Sequence, residues 1–240
     1  MRSVITAAYG GHMTTAADPF GGATDAAPDE AYDPFGDSQP ESVKGGGGGN
    51  TYPYVSYEEL NHHLVILQPT SYIPDAPKRE EFGGGVQERF TCRLVVLAGE
   101  PIEVPERRKN ETSGEWEDTG QVIVLGAGGN PWPIEWESTH VFQGKIIGQL
   151  KDKFDVRAGQ PVNGGMWVGR IRRFPSKQTP KNLVTSDQID AAIVVYYKLA
   201  AAGRNPGAKI NFAWGLSNFT SEDKALALAW YSEFRKRTVS

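Results

Sequence analysis

Five consecutive glycines, Gly45 to Gly49, divide this chain before any other feature is weighed. Such a run has no side chain to bury and loses the most backbone freedom on ordering, so no helix or strand continues through it. The stretch before it is rich in Ala, Asp, Gly, Pro and Thr. That composition cannot bury enough apolar surface to offset its ordering entropy. Residues 1–50 are therefore expected to be a disordered acidic tail ending in a Gly linker, and residues 51–240 a folded domain. The hydrophobic fraction of the whole chain, 39%, is low because the deficit sits in the tail. The remainder can still bury an ordinary core.

Charge divides at the same place. The tail holds Arg2 and Lys44 against seven acidic residues, and the whole chain carries −4, which leaves the domain one unit positive. An acidic total therefore does not argue against a nucleic-acid partner. Within the tail one motif occurs twice, Asp18-Pro19-Phe20-Gly21 and Asp33-Pro34-Phe35-Gly36. Two readings stand. One is recurrence in a low-complexity segment. The other is a short linear motif in which Phe20 and Phe35 enter a partner's apolar pocket while Asp18 and Asp33 meet its basic rim.

Cys92 is the single cysteine, which rules out an intramolecular disulfide and favours a reducing, cytoplasmic setting. No apolar stretch has the length of a membrane-spanning helix. The opening MRSVITAAYGGHM makes a poor signal peptide, because its apolar run is short and is broken by Gly10 and Gly11.

From Thr51 onward the pattern becomes that of a folded β protein. Leu64–Leu67, Arg89–Leu97 and Gln121–Leu125 read as strands, the last two joined by a long polar loop, Glu100 to Gly120. Phe142, Ile146, Ile147, Leu150 and Phe154 recur at helical spacing, with Ser138 or Thr139 as the cap. Met166–Phe174 reads as a fourth strand, with Trp167, Gly169, Ile171 and Arg173 on one face and Val168, Arg170, Arg172 and Phe174 on the other. Asp187–Ala202 reads as a helix, with a strand as the alternative for its β-branched residues. Ala208–Trp214 follows as a fifth strand. Thr220-Ser221-Glu222-Asp223 resembles a capping box opening a last helix. Three strands, a helix and two strands make the fold class mainly β: a five-stranded OB-like barrel with a helix between strands three and four, a helical insertion between strands four and five, and a C-terminal helix. A mixed sheet with helices on one side gives a similar order.

LVILQP, VFQGKIIGQL, VGRI, FAWGL and the Thr-Ser-Glu-Asp that follows occur in an order that covers most of residues 60–234. In these motifs the domain resembles the predicted single-stranded DNA-binding OB proteins of tailed bacteriophages infecting actinobacteria. The resemblance implies a non-enzymatic role in DNA replication or recombination, in the cytoplasm of a host cell. Two features depart from it. The insertion from Ser176 to Gly207 is longer than the compact pattern needs. The acidic segment lies at the N-terminus, whereas bacterial single-strand-binding proteins carry theirs at the C-terminus. The Asp-Pro-Phe repeats are similar to that tail in chemistry, and the resemblance extends to recruiting replication or recombination proteins.

Single-strand binding needs positive charge along the phosphates and aromatic faces for the bases. The segment Trp167 to Lys181 holds Arg170, Arg172, Arg173, Lys177 and Lys181 interleaved with Trp167 and Phe174, and no acid interrupts it. Arg170 and Arg172 share a face with Phe174, so together they can line a groove. The competing reading has the aromatics in the core and the arginines on a solvated face. Arg107, Arg108 and Lys109 form a second patch in the polar loop, flanked by acids. Trp116, Trp132 and Trp136 are candidate stackers or lids on the core. Tyr52, Tyr54 and Tyr57 form a further aromatic cluster just after the linker, with docking of the chain's entry onto the domain as the competing reading.

Catalytic chemistry finds no pattern. His62 and His63 are adjacent and point to opposite faces of an extended chain, and there is no cysteine pair for zinc. No phosphate loop, dinucleotide fingerprint or serine elbow occurs. The expectation is therefore a binding protein without catalytic residues, metal or cofactor, whose partner is single-stranded DNA. A non-enzymatic phage structural or host-directed interaction protein is the alternative. The helix Asp187–Ala202 is apolar on more than one side, which suits a homo-oligomer contact.

Overall fold

The computed structural model describes residues 55–78, 80, 83–109, 116–154, 162 and 165–239. The acidic tail with Phe20 and Phe35, and Tyr52 and Tyr54, lie outside the described residues.

The architecture is mainly β. In chain order the elements are β1 (Leu64–Pro77), β2 (Val86–Ala98), β3 (Ile102–Lys109), β4 (Trp116–Leu125), β5 (Ile134–Val141), α1 (Gly144–Lys153), β6 (Trp167–Phe174), α2 (Ser186–Ala201), β7 (Ala213–Ser217) and α3 (Ser221–Val239). Five strands form one antiparallel sheet in the order β5-β2-β1-β6-β7. Its edges, β5 and β7, are not paired with each other, so the sheet is open where a closed barrel was expected. β3 and β4 form a separate two-stranded hairpin.

Alternation along the strands sends side chains to two cores. Val65, Leu67, Phe90, Cys92, Leu94, Trp167 and Ile171 face one side, where Ile146, Ile147 and Leu150 of α1 close over them. Leu64, Ile66, Val95, Leu97, Met166 and Val168 face the other, under Ala227 and Trp230 of α3. A sheet apolar on both faces needs a cover on each, and the two helices supply it. Full burial drives the Cys92 thiol far above its ordinary range, which leaves it an inert core residue.

Several sequence expectations are corrected. The third strand of the main sheet is β5, not Gln121–Leu125, which belongs to β4 of the hairpin. Ser138 and Thr139 sit within β5, so neither caps α1; its cap is Gln143, without a side-chain bond. Trp136 and the alternating apolar residues of β5 were masked in the sequence by the helical spacing that begins at Phe142. The last strand is Ala213–Ser217, which shares Ala213 and Trp214 with the expected Ala208–Trp214 and runs on beyond it. The insertion is helical: Thr185 and Gln188 form a reciprocal capping box that fixes the start of α2 and decides against a strand. The box at the start of α3 forms as read, with the Asp223 amide donating to Thr220 Oγ1 and the Thr220 amide to Asp223 Oδ2.

Register brings two connections to one end of the sheet. Leu64 stands opposite both Ala98, the last residue of β2, and Arg170, after which β6 runs on to Phe174. The β3–β4 hairpin therefore leaves the sheet at the same end as the loop into α2. The base of the hairpin is anchored by the buried Ile102, Val104 and Leu125. Trp132 seals its return, donating from Nε1 to the Gly99 carbonyl at 3.1 Å. Beyond that base, Glu117 to Val122 are exposed, so the hairpin projects as an arm.

Candidate functional site

The basic strand β6 is placed by its apolar residues. Trp167 and Ile171 are core members, which resolves Trp167 as packing and removes it as a base-stacking face. Gly169 allows β7 to approach, since a side chain there would meet the Ser217 carbonyl at 2.7 Å. The arginines between these residues then fall against acids that lie elsewhere in the chain.

Arg170 donates to both carboxylate oxygens of Asp223, at 2.6 and 3.2 Å, and to the His62 carbonyl at 2.8 Å. Arg172 meets Asp187 at 2.5 Å and Asp190 at 3.5 Å. Arg173 is 5% exposed. It bonds Asp190 at 2.5 Å and also Glu58, and its guanidinium lies 5.2 Å from the Phe212 ring centre and 5.0 Å from that of Trp214. Asp190 additionally accepts from Asn61 and contacts His62 Nε2 at 3.0 Å. The expected phosphate-tracking row is thus corrected. Arg170, Arg172 and Arg173 are held by internal carboxylates and work as the pins that fasten α3, α2 and the N-terminal turn to the sheet. Burying a guanidinium without a partner is costly, which applies to Arg172 and Arg173, whose side chains are 16% and 7% exposed. The acids were visible in the sequence as Asp187 and Asp190, three apart on one face of the next helix, but their approach to β6 is a tertiary fact.

Asp223 gives this arrangement a measurable consequence. Burial pushes its carboxyl upward, but the hydrogen bonds from Arg170 and Thr220 outweigh burial and hold it below the usual range. A depressed carboxylate contributes stability that is present above its unfolded value and lost as pH falls through its folded one. Acid unfolding below about pH 4 should therefore be shallower in Asp223→Asn than in the parent. Parallel thermal melts from neutral to acid pH read this directly, and identical slopes would remove Asp223 from the account.

Phe174 ends β6 half-buried, with the Lys145 ammonium 4.7 Å above its ring. Burial there draws Lys145 below its ordinary range. Lys177 and Lys181 are exposed on the loop that follows. On the arm, the register sets Arg107 opposite Asp118, Arg108 opposite Glu117 and Lys109 opposite Trp116. These three basic residues lie on β3, a correction to the loop expected for them. Trp132 and Trp136 both pack with the core as lids. Tyr57 is buried and tilted 6.2 Å from Trp214, which docks the start of the domain.

What the site brings together, then, is one end of the sheet bearing two basic excursions: the arm with Arg107, Arg108 and Lys109, and the loop with Lys177 and Lys181. Among the described residues no group of three or more His, Cys, Asp or Glu is placed to hold a metal ion, and no helix is long and apolar enough to cross a membrane. No protein-family model matches the chain, and neither a curated protein nor a solved structure matches it.

Proposed function

We propose that this chain binds single-stranded DNA without base preference, on an OB-type sheet, in phage DNA replication or recombination. The observation that carries the reading is the strand order. Counting only the main sheet, β5-β2-β1-β6-β7 is a third-second-first-fourth-fifth order, with α1 between the third and fourth strands and packed beneath the core. That is the connectivity of an OB barrel opened at the seam between its third and fifth strands. In such a fold the face of the second and third strands, with the loops between the first and second and between the fourth and fifth, borders the bound strand. Here the connection between the fourth and fifth strands carries the basic loop, and the basic arm, which leaves between the second and third, lies at the same end of the sheet.

The groups that meet phosphate in this reading are Arg107, Arg108, Lys109, Lys177 and Lys181, with Phe174 beside Lys145 as the aromatic face. Arg170, Arg172 and Arg173 contribute through the shape they hold. The Asp-Pro-Phe segments of the tail remain the proposed contact for replication or recombination proteins.

Fluorescence anisotropy of a labelled oligothymidine, titrated with the full chain at low and high salt, tests the reading. Binding should be selective for single strands over duplex and weaken as salt rises, because phosphate contacts release counterions. Equal affinity for duplex, or none at low salt, would reject it in favour of a protein-interaction role.

A further inference from the structure

Helix α2 turns Ile189 and Ile193 to the body of the protein and leaves Val194, Val195 and Tyr197 at 51%, 55% and 61% exposure. The exposed side also contains Asp187, Ala191 and Lys198, so Asp187, Ala191, Val194 and Lys198 form a stripe at spacings of four, three and four. The stripe is self-complementary. Laid antiparallel on an identical helix about a two-fold axis between residues 192 and 193, it sets Asp187 opposite Lys198 and Ala191 opposite Val194, twice over. A small residue then faces a larger one at the centre, and opposite charges close both ends. The Asp187 side chain is 85% exposed even while it contacts Arg172, so it retains room for a second cation.

We infer that α2 is a homodimer contact, packing antiparallel on the α2 of a second copy of this chain. Two-fold symmetry is the usual form of such assemblies, since one patch then serves both partners. One face of a 16-residue helix falls short of the ~800 Å² per partner of a stable interface. The dimer is accordingly concentration-dependent. The placement of α2 beside the basic loop means that dimerisation joins two such loops across one axis.

Sedimentation velocity of the full chain from micromolar to millimolar concentration should show a monomer passing to a dimer. Val194→Glu should abolish the dimer with the thermal melt unchanged. Lys198→Asp alone should weaken it about tenfold or more by setting like charges together, and adding Asp187→Lys should restore it. An equimolar mixture of Ala191→Cys and Val194→Cys chains should cross-link on oxidation faster than either alone, Cys92 being buried. A chain that stays monomeric throughout overturns the inference and leaves the face to another partner or another segment. A dimer indifferent to Val194→Glu overturns it, as does preferential cross-linking of Ala191→Cys with itself, the signature of parallel packing.

Discussion

Replacing Asp190 with Ala is expected to cost about 3–5 kcal/mol of folding free energy, the usual penalty for leaving a buried ion without its partner. Asp190 accepts from Arg173, Arg172 and Asn61 and contacts His62, and Arg173 has little access to water that might replace it. Glu58 is the remaining acid on Arg173, and its side chain is half exposed. Two rings clasp the guanidinium, which holds it in place but does not neutralise it. Urea unfolding should show a lower midpoint at unchanged slope, the pattern of lost stability without a changed denatured state. Asp190→Asn, which keeps the shape and part of the bonding, should cost less than Asp190→Ala. A loss below about 1 kcal/mol for the alanine variant would mean that Ile189 and Ile193 alone hold α2.

Reversing the charge of the arm should have the largest effect on DNA binding. In the variant carrying Arg107→Glu, Arg108→Glu and Lys109→Glu, affinity for oligothymidine should fall on the order of a hundredfold at low salt. The salt dependence should flatten as well, by about two in slope, since each phosphate contact on a single strand contributes ~0.7. The arm projects beyond its buried base, so the fold should melt as the parent does. Unchanged affinity and slope would take the arm out of the interface. The contrast with Arg172→Glu is informative. Arg172 lies against Asp187 and Asp190, so its reversal should lower the melting temperature first and DNA binding only as a consequence.

The two variants separate what resembles a binding row from what holds the domain together. In sequence, β6 is a basic-aromatic stretch that no acid interrupts, and the arm is a polar loop rich in acids. In space, all three arginines of β6 meet internal carboxylates. The arm retains Lys109 with Trp116, rather than an acid, as its register partner.

Local chemistry determined much of this protein. Alternation placed β1, β2 and β6 and separated the two faces of β6, without deciding whether Trp167 joins the core. Helical spacing found α1, and the capping pair of Thr220 and Asp223 marked where α3 starts, because a cap is a contact between residues three apart. Only the tertiary structure decided the rest. Whether Gln121–Leu125 joins the main sheet or a hairpin depends on pairing with β3, whose alternation is broken by Pro105 and charge. Whether an arginine meets phosphate or carboxylate depends on acids that arrive from α2, α3 and the turn at Glu58. A residue's type states the charge that must be compensated, and the fold alone brings the compensating group within reach.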